Sequence, residues 1–291
     1  MLEFCSLYSG SSGNCLFVRS NGTKLLIDCG TSCKKICEGL ASIDSSIEDI
    51  DAILVTHEHS DHVQGLGMVS KKFNIPVYAN LETWDAMQKQ KEKIDERNIN
   101  VFKNDEDFFF NDLTIHPFST PHDAANPCGF NIHNGKRKIS IATDLGHMNN
   151  KLFEQLQESS FVLLESNYDP EILKVSKYPF HLKQRIAGPH GHLSNETAGK
   201  TISALMKKDL KEVMLGHLSK ENNFPELAYQ TVAEQLIENN SDINTNYETY
   251  KAITEQTAIN FALANDLDYQ KFIKLKRIFC LSDTGCGNCV R

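Results

Sequence analysis

One seven-residue stretch limits what this chain can become more than any other: Thr56-His57-Glu58-His59-Ser60-Asp61-His62. It holds three of the chain's eleven histidines and follows Ala52-Ile53-Leu54-Val55, a short apolar run that fits a buried strand. A strand that ends in a loop can aim several side chains at one point. Imidazole and carboxylate suit zinc, iron or manganese. Asp61 and His62 are adjacent and cannot easily face the ion that His57 and His59 face, so the pattern favours two ions side by side. The bland alternative is a polar loop with chance histidines. Three histidines interleaved with acids directly after a strand argue against it.

The rest of the chain predicts strands interleaved with helices, an α/β architecture. Leu16-Phe17-Val18, the hairpin signal Asn21-Gly22 and Lys24-Leu25-Leu26-Ile27 open the pattern. Further strands are expected at Ile75-Pro76-Val77-Tyr78, Ile139-Ser140-Ile141-Ala142 and Phe161-Val162-Leu163-Leu164. Helices are expected over Leu81 to Lys93, Lys151 to Gln157, Asn195 to Lys208 and Pro225 to Glu238. Ser194 offers a capping side chain to the third. Beyond residue 240 the pattern suggests a strand at Asn246 to Thr254 and a basic helix at Asp268 to Phe279, with Lys271, Lys274, Lys276 and Arg277 on one side.

Composition narrows the classes. With 291 residues, 40% hydrophobic and 23% charged, the chain has the profile of an ordinary globular protein with a sizeable core. No apolar run approaches the roughly 18 residues of a membrane span. The N-terminus lacks the basic and apolar regions of a signal peptide. Nine cysteines, an odd number, then imply reduced thiols and a cytoplasmic location. A net charge of −8 weighs mildly against a nucleic-acid partner but leaves room for a local basic patch.

H-x-H-x-D-H is the hallmark of the metallo-β-lactamase fold superfamily, which this chain resembles. Leu26-Ile27-Asp28-Cys29-Gly30, Thr120-Pro121-His122-Asp123, Ala142-Thr143-Asp144 and Leu215-Gly216-His217-Leu218-Ser219 are similar, in order, to the family's other motifs. The resemblance implies a four-layer αββα sandwich over residues 1–240, with 241–291 as a C-terminal extension that completes or decorates it. It implies His57, His59, His122 and Asp144 at one metal, and Asp61, His62, Asp144 and His217 at a second. Asp28 would orient the histidine loop by hydrogen bonds. Within the superfamily the match is narrower. Ser6 to Cys15, Leu182-Lys183-Gln184-Arg185-Ile186 and Gly191-His192-Leu193-Ser194-Asn195 resemble signatures of the YycJ/WalJ (VicX-like) group. That group implies a metal-dependent nuclease with 5′-exonuclease activity on DNA. Tyr168, in Glu165-Ser166-Asn167-Tyr168-Asp169, departs from the Asn-His-Asp expected there.

Two ions can share a hydroxide and clamp the attacked and leaving oxygens of a phosphodiester, with Asp61 holding or deprotonating the water. His192 sits before a helix as in ribonuclease Z and other nucleases of the fold, and is expected to contact phosphate or protonate the leaving oxygen. A capping-loop histidine is its bland reading. Ser11, Ser12 and Asn14, in a loop of small residues, are candidate substrate contacts through an anion-binding backbone, although a simple turn explains the same letters. Arg185, with Lys183 and Lys220, could rim the site for a nucleic-acid backbone.

Cys29, Cys33 and Cys37 recur every fourth residue, and packing is the simpler account of them. The Cys286-Gly287-Asn288-Cys289 tail, with Cys280, falls short of the four ligands of a structural zinc. Three other functions compete. A hydrolase of a small ester, thioester or lactam usually lacks the Gly-His-Leu-Ser element. A di-iron flavin enzyme needs a further domain that this length does not hold. A non-catalytic scaffold need not retain every ligand.

Overall fold

Apolar runs that do not alternate mark strands covered on both faces. The computed structural model, which describes residues 2–208, 210, 212–239, 278–280 and 288–290, shows why these runs are apolar. One sheet runs in the order β14 (Asn288–Val290), β1 (Leu2–Tyr8), β2 (Cys15–Ser20), β3 (Lys24–Ile27), β4 (Ala52–Leu54), β5 (Val77–Asn80), β6 (Ile99–Phe102). The other runs β13 (Ile278–Cys280), β12 (Glu212–Gly216), β11 (Phe161–Glu165), β10 (Arg137–Ala142), β9 (Cys128–Asn134), β8 (Leu113–Ser119), β7 (Phe108–Phe110). Successive side chains of a strand face opposite ways. Leu25 and Ile27 therefore join Phe161 and Leu163 in the seam between the sheets. Leu26 faces outward to Ile36, Leu40 and Leu66. On the second sheet Val162 and Leu164 face outward to Ile202, Leu205, Val232 and Leu236. Helix, sheet, sheet and helix layers follow, the αββα sandwich of the metallo-β-lactamase fold.

Burial rather than surface charge holds these layers. A fully buried side chain such as Phe130 or Leu25 contributes about 1.5–3 kcal/mol. An exposed pair such as Lys34–Glu38 contributes about 0–1 kcal/mol.

Both sheets change from antiparallel to parallel pairing at one strand. β3 pairs antiparallel with β2 and parallel with β4; β10 pairs antiparallel with β9 and parallel with β11. The candidate site lies beyond the carboxyl ends of β3, β4, β10 and β12, the end of the strands at which α/β sheets bind their ligands.

The expected elements hold with local corrections. The helix expected over Leu81 to Lys93 is two, Leu81–Ala86 and Gln88–Lys91. Met87 leaves helical geometry (φ −100°, ψ 38°), and its side chain is buried in the outer core. The strand expected from Ile75 starts at Val77. Ile278 and Phe279, expected to end a basic helix, are strand and pair with Val213 and Met214, because this apolar triplet extends the parallel ladder. The rest of that helix, the strand at Asn246 to Thr254 and Cys286 lie outside the described residues. No helix among the described residues is long and apolar enough to cross a membrane.

Candidate metal centre

Four strand ends deliver the side chains. β4 leads into His57, His59, Asp61 and His62; β10 into Asp144; β12 into His217; and β8 into His122. The backbone turns sharply at three site residues. Asp28 (φ 63°), Asp144 (φ 58°) and His217 (φ 54°) occupy the left-handed region. Aspartate and histidine tolerate that region better than most residues, but it still costs energy and so clusters at functional sites.

All seven expected ligands converge. His57, His59 and His122 form one group of donor atoms, His57, His62 and Asp144 a second, and Asp61, His62 and His217 a third, each within 4.8 Å. His122 Nε2 lies 3.6 Å and His62 Nε2 3.4 Å from the Asp144 carboxylate, and His217 Nε2 lies 3.8 Å from Asp61 Oδ2. Asp144 thus stands between the two halves of the cluster.

Four of the imidazoles are tied from behind. His62 Nδ1 donates to Asp28 Oδ2 at 2.7 Å, His122 Nδ1 to the Gly191 carbonyl at 3.0 Å, and His217 Nδ1 to Glu165 Oε1 at 2.8 Å. Thr56 Oγ1 gives its proton to Asp28 Oδ2 and accepts from His57 Nδ1 at 3.0 Å. Each tie fixes one tautomer and leaves Nε2 for the centre, as metal-ligating histidines require. His57 Nε2, His217 Nε2 and Asp144 Oδ2 are buried with no hydrogen-bond partner. Three such atoms within one cluster are a costly arrangement for a metal-free site, and the donor set fits divalent ions.

The imidazoles of the cluster divide electrostatically. Burial, and then the neighbouring histidines, hold His57 well below the usual imidazole range. That favours the neutral, metal-binding form. Burial also opposes charge on His62, but Asp144 and Asp28 outweigh it and raise that group to about 9. Asp144 is held low by His217, His62 and His122 against its own burial. A cluster with this balance of acids and imidazoles can compensate cationic charge at its middle.

His192 joins the cluster through a residue the sequence reading did not single out. Glu165 ends the apolar run of β11 and is fully buried. Its Oε1 accepts from both His192 Nδ1 and His217 Nδ1 at 2.8 Å. Its Oε2 accepts the backbone N–H groups of Leu145 and Leu193. An acid closing a continuous apolar strand was the available signal, since such a group is seldom buried without a partner. His192 Nδ1 is 3.8 Å from Asp144 Oδ1, and its side chain keeps 23% exposure where His62 keeps 1%. It therefore meets solvent, as the half-buried His59 does on the other side of the cluster.

The remaining candidates divide. Ser11 and Ser12 are exposed at the rim, with Lys220 Nζ 3.3 Å from Ser12 Oγ. Asn14 turns inward. Its amide nitrogen lies 3.0 Å from His62 Nε2 and 3.3 Å from Asp61 Oδ2, and its Oδ1 accepts from Gly10 N. Arg185 is exposed and engaged by Asp123, the neighbour of His122. At the Tyr168 departure, Asn167 donates to the His217 carbonyl and Asp169 caps the helix Pro170–Val175. Close backbone contact locks the histidine loop in place: a Cβ on Gly30 would come within 1.6 Å of the Asp61 carbonyl. Cys29 is buried, while Cys33 and Cys37 are half-buried on the helix Cys33–Ala41, all three as free thiols.

A sandwich of this topology around this donor set defines a metal-centre protein of the β-lactamase superfamily. The Beta-lactamase superfamily domain is matched over residues 23–218, a span that encloses Asp28 through His217, and the chain belongs to that family. It is 37% identical over 250 residues to exodeoxyribonuclease WalJ of Streptococcus pneumoniae, covering 85% of this chain and 93% of that protein. It is 36% identical over 249 residues to exodeoxyribonuclease YycJ of Bacillus anthracis, covering 86% and 94%. Among solved structures, the metallo-beta-lactamase fold protein YhfI from Bacillus subtilis superposes with a TM-score of 0.64 at 14% identity, covering 99% of both chains, a likeness of fold.

Proposed function

We propose that this chain is a metal-dependent exonuclease that removes nucleotides from the 5′ end of DNA, working with two divalent ions drawn from zinc, manganese and iron. The observation that carries the reading is the similarity to WalJ and YycJ, both named exodeoxyribonucleases, along nearly their whole lengths. His57, His59, His122 and Asp144 would hold one ion, and Asp61, His62, Asp144 and His217 the other. Ions bound there supply positive charge for phosphate oxygens and make water acidic enough to attack at neutral pH.

The chain's own residues do the rest. Asp28, Thr56 and the Gly191 carbonyl hold the imidazoles in register. Asp61, partly exposed and bonded to Asn14, orients the attacking water. Glu165 holds His192 by its Nδ1, so that Nε2 can place a proton on the leaving oxygen. Asn14 acts through Asp61 and His62, leaving Ser11, Ser12 and Arg185 as the substrate contacts. Hydrolysis of a small ester, thioester or lactam is not favoured, because the relatives that match most of the chain carry another activity.

The test is an assay of end-labelled single- and double-stranded DNA and RNA on metal-stripped protein, with zinc, manganese and iron restored one at a time. Release of mononucleotides from the 5′ end of DNA is expected. Cleavage of a small ester with no nucleic acid cut under any metal overturns the reading.

A further inference from the structure

From Ile172 to Asn195 the chain contains no aspartate or glutamate, yet carries Lys174, Lys177, Lys183 and Arg185, in a protein of net charge −8. The segment forms the helices Pro170–Val175 and Phe180–Ile186 and returns to the core at Leu193. It displays two of the three most exposed large apolar side chains among the described residues, Val175 at 80% and Phe180 at 74%. Burying Phe180 instead would gain about 1.5–3 kcal/mol, so an aromatic ring left in water amid cations suggests a ligand with both flat faces and negative charge.

The segment's far end is built into the site. His192 N donates to the Ile186 carbonyl at 2.8 Å, a Cβ on Gly191 would meet the Arg185 carbonyl at 2.1 Å, and Arg185 pairs with Asp123 beside His122. Six helical steps lead from Phe180 to Ile186, a rise of about 9 Å. At about 3.4 Å per stacked nucleotide, that is two to three nucleotides. Lysines along such a path track a phosphate backbone, and an exposed ring stacks on any base. Lys174 lies 3.6 Å from Glu171, an exposed pair that a phosphate can displace at little cost.

We propose that Phe180 is a stacking platform for an unpaired base at least two to three nucleotides from the reacting phosphate. Lys174 and Lys177 guide the backbone of that single strand, while Lys183 Nζ donates to the Lys174 carbonyl at 2.8 Å and braces the two helices against each other. The occupant is single-stranded DNA, since a duplex keeps its base faces covered. This proposal rests on the nuclease reading above.

The experiment pairs binding of a fluorescein-labelled oligo(dT), followed by anisotropy, with hydrolysis of bis(4-nitrophenyl) phosphate, which is too short to reach Phe180. Phe180→Ala weakens oligonucleotide binding about 5- to 100-fold and leaves the small diester unaffected. Phe180→Trp restores binding; Phe180→Leu, apolar but without a π face, does not. Lys177→Gln lowers the salt slope of binding by about one. Unchanged binding in Phe180→Ala, equal rescue by leucine, or parallel loss of small-diester hydrolysis overturns the platform. So does failure of the unaltered protein to bind the oligonucleotide. Binding that depends on Phe180 without any cleavage overturns the exonuclease reading alone and leaves the platform standing.

Discussion

The two sheets share one plan and use it differently. Each turns from antiparallel to parallel pairing at one strand, β3 or β10, and each follows that strand with an aspartate in left-handed backbone, Asp28 or Asp144. In the first sheet the aspartate faces backward to hold Thr56 and His62, and the next strand feeds four candidate ligands from one loop. In the second sheet the aspartate faces the cluster itself. The neighbouring strands then give one group each: Glu165 after its apolar run and His217 after Gly216. One half relies on local sequence and the other on the registration of distant strands. The first should tolerate distortion as a unit, whereas the second should fail one side chain at a time.

The largest expected effect tests that asymmetry where the halves meet. Asp144→Ala removes the group facing both histidine sets, and should lower both metal content and DNA cleavage by more than about 10²-fold, beyond the cost of a supporting residue. Metal analysis showing full occupancy in that variant would break the assignment. Next comes His192→Ala, which should retain its metals while turnover falls about 10²- to 10⁴-fold, the scale of general acid catalysis. A loss of metal there would make His192 a ligand. The smallest effects separate the two supporting acids. Asp28→Asn and Glu165→Gln should each weaken metal binding about 10- to 100-fold. Only Glu165→Gln should also lower turnover at saturating metal, because Glu165 holds His192 as well as His217. Equal kinetics for the two variants at saturating metal would erase the distinction.

The same asymmetry sets what could be read in advance. His57 to His62 is legible because its chemistry is packed into seven letters after an apolar run. His122, Asp144 and His217 are single residues at strand ends, and only their order within a resemblance marks them. The loop of small residues suggests Asn14 as a substrate contact, while the fold turns its amide toward Asp61 and His62, a contact spanning nearly fifty residues. Glu165 carried a weak signal, one acid at the end of a buried strand. Its two histidine partners come from segments 27 and 52 residues away, which no local pattern joins. The strand pair β8 and β9 carries the other strand signal: Thr114, His116, Asn131 and His133 alternate with the buried Leu113, Ile115, Phe130 and Ile132, a period-two pattern that a search for continuous apolar runs passes over. At Met87, burial of one side chain overrides a favourable helical stretch.

The left-handed backbone at Asp28, Asp144 and His217 sets stability against reactivity. Each such conformation costs on the order of 1–3 kcal/mol, and glycine would adopt it freely. Judged by the main chain alone, all three positions prefer a residue that can perform no chemistry. A redesign scored only on thermal tolerance would therefore be drawn to the residues the reaction can least spare, and selection for activity must hold them against that pull in every generation.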